Sequence, residues 1–382
     1  MGERMKTKSL VVAAILVVVP CLLAFPALGA EKASFKATGK KGGFVVGFAN
    51  PYIGNSWRAQ FLEDAKIGAD KYKKTGLLKD FIIANSNNDV SQQLQQLNNM
   101  IARRVDALMI DPTSAKALGP VIAKAKKANI LVVITAEPAA YPGTYAVVHD
   151  NDRFARVNTE WLATTLKGKG NIVIITGLVG NPADQVRIDV QKEILAKYPD
   201  IKVLASAPAN WTPAQAQAVM STNLSTYPEI DGILQQDVTA PGVVQAYSNA
   251  GRTDIPPMVG DSTFGFLRTW AGNPKLNCIA YPMQPAVVID VLGITLRLLQ
   301  GRELKDDLLQ PNTMDGKLVN TILAEPPYIV TNDAQPQAPW MKGLKYTKSI
   351  GVQDAAKFGV GKADAAMLDG AMTDEQIDSM FK

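Results

Sequence analysis

Trp57 and Arg58 stand side by side in the stretch Phe44 to Phe61, FVVGFANPYIGNSWRAQF. It reads as a buried strand, a loop containing Asn50, Pro51, Gly54, Asn55 and Ser56, and then the first turn of a helix. An indole face stacks on ring carbons and a guanidinium donates to hydroxyls, so the pair has the chemistry of a site for a sugar. In a parallel α/β sheet such a loop lies at the carboxyl end of a strand, where ligands bind.

Other chemistries find little support. His149 is the only histidine, so neither a His/Cys metal set nor a histidine-based triad can be assembled. Asn85 to Asp89 reads as a loop and helix cap, because it lacks the acidic spacing and distal glutamate of a calcium loop. Gly260-Asp261-Ser262 resembles the start of a serine esterase motif, but no histidine follows it. With no G-x-S-x-G, H-E-x-x-H or P-loop pattern either, the chain reads as a non-enzyme without a cofactor.

The elements that must position Trp57 and Arg58 alternate along the chain. Apolar strand candidates are 44–48, 81–84, 107–110, 130–134 and 145–148, then 171–176, 203–205, 232–234, 258–260 and 277–280. Helical patterns lie between them, as where Leu94, Leu97, Ile101 and Val105 form one face. Strands apolar throughout and alternating with helices imply parallel sheets covered on both faces. The pattern restarts after His149-Asp150, which predicts two similar lobes. Crossings are expected near His149 and Asp150, near Tyr281-Pro282, and within 309–327, forming a hinge.

The full chain of 382 residues carries a formal charge of +5. Its start has Arg4, Lys6 and Lys8, then an almost unbroken apolar run from Leu10 to Leu28 ending in small residues. This is the pattern of a cleaved secretory signal, residues 1–29, and it would take Cys21 with it. Loss of three basic residues and one acidic residue brings the charge to +3, with no basic run, which argues against nucleic acid as a partner. Cys278 then remains alone in an apolar stretch, as an inert buried thiol.

In order and spacing, these segments resemble the periplasmic sugar-binding proteins of ATP-driven importers, of the ribose-binding type. The carriers are GFANPYIGNSWR, ANSNND, DALMIDPTSAKAL, ANILVVIT, VVHDND, ITGLVGNPADQVR, YPDIKVLASAPANWTPAQA, DGILQQD and PPMVGDSTFGFL, between Gly43 and about Gly301. The resemblance implies the type I architecture: α/β, two similar doubly wound parallel-sheet lobes joined by a multi-strand hinge. It also implies capture of a monosaccharide or polyol between the lobes, delivery to an ABC permease, and a periplasmic, monomeric mature protein. Lobe boundaries of 41–149 plus 283–310 and 150–282 plus 320–332 follow, with 333–382 an extension of no assigned role.

The family's ligand positions fall on Asn55, Trp57 and Arg58 in the first lobe, and on Trp211, Gln236, Asp237 and Asp261 in the second. Departures are Glu137, in Ala136-Glu137-Pro138, where relatives carry Asp-Arg, and Gln185, where they carry an arginine, with Asp184 before it and Arg187 beyond. Tyr281, or Gln284 in a shifted alignment, takes the place of the hinge-side glutamine. The departures leave the sugar open. The core would be the same in a sensory module presenting bound sugar to a membrane receptor, and a binder of a non-sugar solute such as an amino acid or nucleoside is a further alternative. A sugar-responsive repressor shares the fold, but the export signal and the missing DNA-binding helices argue against it.

Overall fold

The computed structural model describes residues 31–114 and 116–382. The signal segment expected at 1–29 lies outside the described residues.

The β-branched runs assemble into two sheets. Across the first, the strands are ordered Leu78–Asn85, Phe44–Asn50, Ala107–Ile110, Leu131–Ala136, Tyr145–His149, Leu318–Ala324 and Glu31–Lys32. Across the second, they are Asp200–Pro208, Lys169–Thr176, Gly232–Leu234, Met258–Val259, Cys278–Ala280, Tyr328–Thr331 and Lys348–Gly351. Numbered along the chain from Phe44–Asn50 in the first lobe, leaving aside the short Glu31–Lys32, and from Lys169–Thr176 in the second, the first five strands of each lobe lie in the order 2-1-3-4-5 and run parallel, the doubly wound arrangement that the resemblance implied. In both sheets the direction of winding reverses between the first and third strands, so a crevice opens at their carboxyl ends. Each strand expected from an apolar run forms, most of them a residue or more longer than the run itself.

Helices start where short polar side chains satisfy the free amides of the first turn. Asn55, Asp89, Asp150, Asn181 and Thr212 each accept a hydrogen bond from a backbone N–H at the head of Ser56–Lys74, Val90–Ala102, Asn151–Thr165, Pro182–Leu195 and Pro213–Thr226. Each such cap contributes about 1 kcal/mol. The helices bury one face on the sheets, giving each lobe a core on both sides of its sheet. Val287–Leu299, apolar nearly all round, is buried along its whole length beneath the C-terminal segment.

The chain crosses between lobes after His149, at Tyr281 to Ala286 and at Glu325 to Pro327. The last crossing corrects the expected boundary: 320–324 belongs to the first lobe, because Leu318–Ala324 pairs in parallel with Tyr145–His149. Only Tyr328–Thr331 joins the second sheet, antiparallel to Cys278–Ala280.

The extension is a structural strap. Lys348–Gly351 adds a strand beside Tyr328–Thr331, and Val352 and Ala355 of the helix Val352–Lys357 enter the second core. The backbone then pairs with Ser262, Thr263 and Gly265 of the second lobe before returning to the first. There the Asp369 carboxylate accepts from Ala286 N–H and Gln60 Nε2, and Ile377, Met380 and Phe381 fill the first core. Burial of apolar side chains of this size contributes about 1.5–3 kcal/mol each, which pins the end of the chain.

Candidate ligand-binding cleft

Residues following the strands at both switch points converge on one cavity between the lobes. Tyr52, Asn55, Trp57, Arg58, Glu137, His149 and Met283 line it from the first lobe and hinge; Asn151, Arg187, Trp211 and Asp237 line it from the second lobe. Its volume of about 60 Å³ is room for about four to six waters at ~10–15 Å³ each.

In the first lobe the helix Ser56–Lys74 starts directly after the first strand. Its cap Asn55 accepts from Arg58 N–H at 2.9 Å, which sets Trp57 and Arg58 in the first turn facing the crevice. Arg58 is buried; its Nη1 donates to Asp111, just beyond the third strand, and its Nη2 to Glu137 Oε1 at 2.9 Å, just beyond the fourth. The Trp57 ring stacks on Phe61 with centroids 4.8 Å apart, and its Nε1–H donates to the Met283 carbonyl at 2.5 Å. One face of the indole is thus occupied by its own helix, and its polar edge is tied to the hinge.

The second lobe builds the same set from different segments. Arg187, in the second turn of Pro182–Leu195, donates through Nε to Asn151 Oδ1 at 2.9 Å and through Nη1 to Asp237 Oδ2 at 2.6 Å. Its guanidinium lies 4.2 Å above the Phe154 ring, a cation–π contact that holds its plane. Trp211 follows the second strand and Asp237 the third, each with left-handed backbone (φ +52° for both) that turns the side chain inward. Trp211 lies against bare backbone at Gly177, where an added Cβ would collide with the indole.

His149 sits between the halves, its ring edge-on to Trp57. Burial, countered by its bond to the Gln284 carbonyl, pushes it down to about 4, so it is neutral at pH 7. Nε2 donates to Gln284 O at 3.1 Å, which leaves Nδ1 as an acceptor.

Six residues singled out in the sequence, Asn55, Trp57, Arg58, Glu137, Trp211 and Asp237, therefore meet at the cavity. Four others do not. Gln236 is buried behind the wall, where its Oε1 accepts from Trp211 Nε1 at 3.1 Å and Arg187 Nη1 at 3.2 Å, and its Nε2 donates to Asp184. Gln185 points to solvent and bonds Asp189, because Arg187, two residues on, is turned by about 200° to the cleft face. Asp261 folds back on its own turn, accepting from Thr263 N–H at 2.7 Å and Thr263 Oγ1 at 3.0 Å. Tyr281 lies across Phe154 from the cleft and lines a separate cavity. The sequence reading missed Arg187, Asn151 and Tyr52 as cleft residues, and took His149 for a crossover residue only.

Two arginines in the cleft face three carboxylates, Asp111, Glu137 and Asp237, while His149 is neutral. Each guanidinium keeps N–H groups beyond those bonds, and Glu137 Oε2 has no hydrogen-bond partner among the described residues. The walls can therefore donate to and accept from hydroxyls without holding surplus positive charge.

Residues 46–303 match the family described as the periplasmic binding protein domain. The xylitol-binding protein of Mycolicibacterium smegmatis is 36% identical over 201 residues, which cover 52% of this chain and 57% of that protein. The putative rhizopine-binding protein of Rhizobium meliloti is 31% identical over 201 residues, covering 50% and 65%. Thus the chain matches only about three-fifths of the length of these two relatives. Among solved structures, an ABC transporter solute-binding protein from Thermobispora bispora superposes with a TM-score of 0.64 at 23% identity, covering 85% of this chain and 98% of that one. With the match spanning most of both lobes and the strand order that of type I, this chain belongs to the periplasmic binding protein family.

Proposed function

We propose that the chain is an extracytoplasmic solute-binding protein that captures a neutral monosaccharide or polyol in the interlobe cleft and delivers it to an ABC permease. The observation that carries this reading is the charge balance of the cavity: both arginines are already paired, so an anion gains little there, whereas hydroxyls find donors and acceptors of both kinds. The names of the similar proteins, one a xylitol-binding protein, support it.

In this account the ligand enters with the lobes apart, and the rings of Trp57 and Trp211 bracket it. Free N–H groups of Arg58 and Arg187 donate to its hydroxyls, and Glu137 and Asp237 accept from them. The lobes rotate shut about the three crossings, a hinge motion that builds the surface a permease reads. Nothing in the cleft performs a reaction; the chemistry is binding alone.

The test is a thermal-shift panel of neutral sugars, polyols, amino acids and nucleosides on the mature chain. A ligand that binds only the folded state at 100 times its Kd adds about 2.7 kcal/mol of stability. A sugar or polyol is expected to give the shift. A shift with an amino acid or nucleoside and with no sugar contradicts the reading.

A further inference from the structure

The crevice between the lobes holds a second chamber, of about 250 Å³, beside the one lined by the two tryptophans. Four loops of the first lobe border it, those that follow Phe44–Asn50, Leu78–Asn85, Ala107–Ile110 and Leu131–Ala136, and the loop 178–181 of the second lobe faces them. With Asn88 and Val179 exposed, this is the outer of the two chambers.

The chambers share a sill. Tyr52, Arg58 and Glu137 line both, the Arg58 guanidinium lying 4.9 Å from the Tyr52 ring centroid and 2.9 Å from the Glu137 carboxylate. Chain neighbours divide between them: Ala136 and Ala183 line the inner chamber, Pro138 and Pro182 the outer. Consecutive Cα atoms are ~3.8 Å apart, so one small molecule reaches across. The inner chamber, at about 60 Å³, is less than half of the roughly 150 Å³ that holds benzene, and a pentose is larger than benzene. At this lobe angle a sugar overruns the inner chamber, yet a bare sugar leaves most of the outer one empty.

The outer walls are mainly apolar. Pro51, Pro112, Pro138 and Pro182 surround the chamber with Leu178 and Val179. The polar side chains among them are largely engaged: Thr113 Oγ1 bonds Ser86 Oγ at 3.1 Å, and Asn181 Oδ1 accepts from Ala183 N–H at 2.8 Å as a helix cap. A second sugar ring would find few partners for its hydroxyls, whereas an alkyl or aryl group would remove apolar surface from water. Val179, 73% exposed, has the most area left to cover when the lobes close.

We propose that the outer chamber is a subsite for an apolar group joined to the sugar through its anomeric oxygen, so that the solute is an alkyl or aryl glycoside. This rests on the reading of the cleft as a sugar site: the sugar ring takes the inner chamber, and the substituent passes the sill into the outer one.

The probes are D-xylose, D-ribose, L-arabinose and D-galactose, each beside its methyl, n-butyl and phenyl glycosides in both anomeric forms, titrated calorimetrically into the mature full chain. At least one n-butyl or phenyl glycoside is expected to bind tenfold or more tighter than its free sugar. The n-butyl form should exceed the methyl form, since each buried methylene adds about fourfold. Val179→Asp is expected to erase the gain and leave the affinity for free sugars unchanged, while Val179→Leu keeps the gain. Free sugars that bind as tightly as all their glycosides overturn the proposal and leave the sugar reading standing, as does a gain unchanged in Val179→Asp. Binding of neither free sugars nor glycosides overturns both.

Discussion

The two walls of the cleft reach one chemistry by different routes. In the first lobe the stacking ring and the arginine are neighbours, Trp57 and Arg58, in one helical turn capped by Asn55. In the second, Arg187 comes from the second turn of the matching helix and Trp211 from another loop, with Gln236 joining them through a buried amide. The fourth strands differ as well: Glu137 reaches its lobe's arginine, whereas Asp261 bonds only its own turn. The lesson is that the fold fixes which strand ends face the cleft, while the side chains that fill those places are interchangeable between loops.

The arginines separate the halves most strongly. Arg58→Ala leaves Asp111, fully buried, and Glu137 without their cation, and breaking such a pair costs about 3–5 kcal/mol. Arg187→Ala exposes only the partly accessible Asp237, so a smaller loss in urea denaturation is expected. Both variants should lose the ligand-induced shift. Equal stability losses would contradict the contrast.

Asp261 provides the next test, through pH. Burial pushes its carboxyl up to about 7, above the 3.8 of an ordinary aspartate. The folded state therefore holds a proton that the unfolded state releases, so this contribution to stability is complete below pH 4 and is lost as pH rises through 7. Asp261→Asn should remove that slope and be the more stable form at pH 8 but not at pH 4, by a difference of the order of 4 kcal/mol. Urea midpoints at the two pH values measure it, and parallel profiles for variant and wild type would sink it.

Gly177→Ala should displace the Trp211 ring and abolish ligand binding, at a stability cost of about 1–3 kcal/mol. The first lobe has no equivalent weakness, since Trp57 rests on Phe61 and not on bare backbone. Gln185→Ala should change neither binding nor stability, within about 0.5 kcal/mol. A loss of binding there would mean that Gln185, and not Arg187, faces the ligand.

The sequence made the sheet order and the first wall legible, because apolar runs mark the strands and Trp57-Arg58 follow their strand directly. The second wall was harder to read. Choosing between Gln185 and Arg187 depends on the helical phase set by the Asn181 cap, a half-turn that spacing from a motif does not resolve. Asp261 was misplaced because a short carboxylate can satisfy its own turn and need not reach a ligand. Tyr281 ends a strand on the face opposite the cleft, and a shift of one residue along a strand reverses that choice. For the C-terminal strap the sequence assigns no role. That the strap engages both lobes depends on tertiary contacts at Asp369 and along Lys348–Gly351.

The central claim is that the cleft selects a neutral polyhydroxylated solute because its arginines are already paired. Calorimetric titration of the mature chain with xylitol and other neutral sugars, each beside its carboxylate counterpart, tests it most directly. The account predicts that the best neutral ligand binds at least tenfold tighter than its acid form, about 1.4 kcal/mol, with binding lost in Trp211→Ala. An acid form that binds equally or more tightly would contradict it.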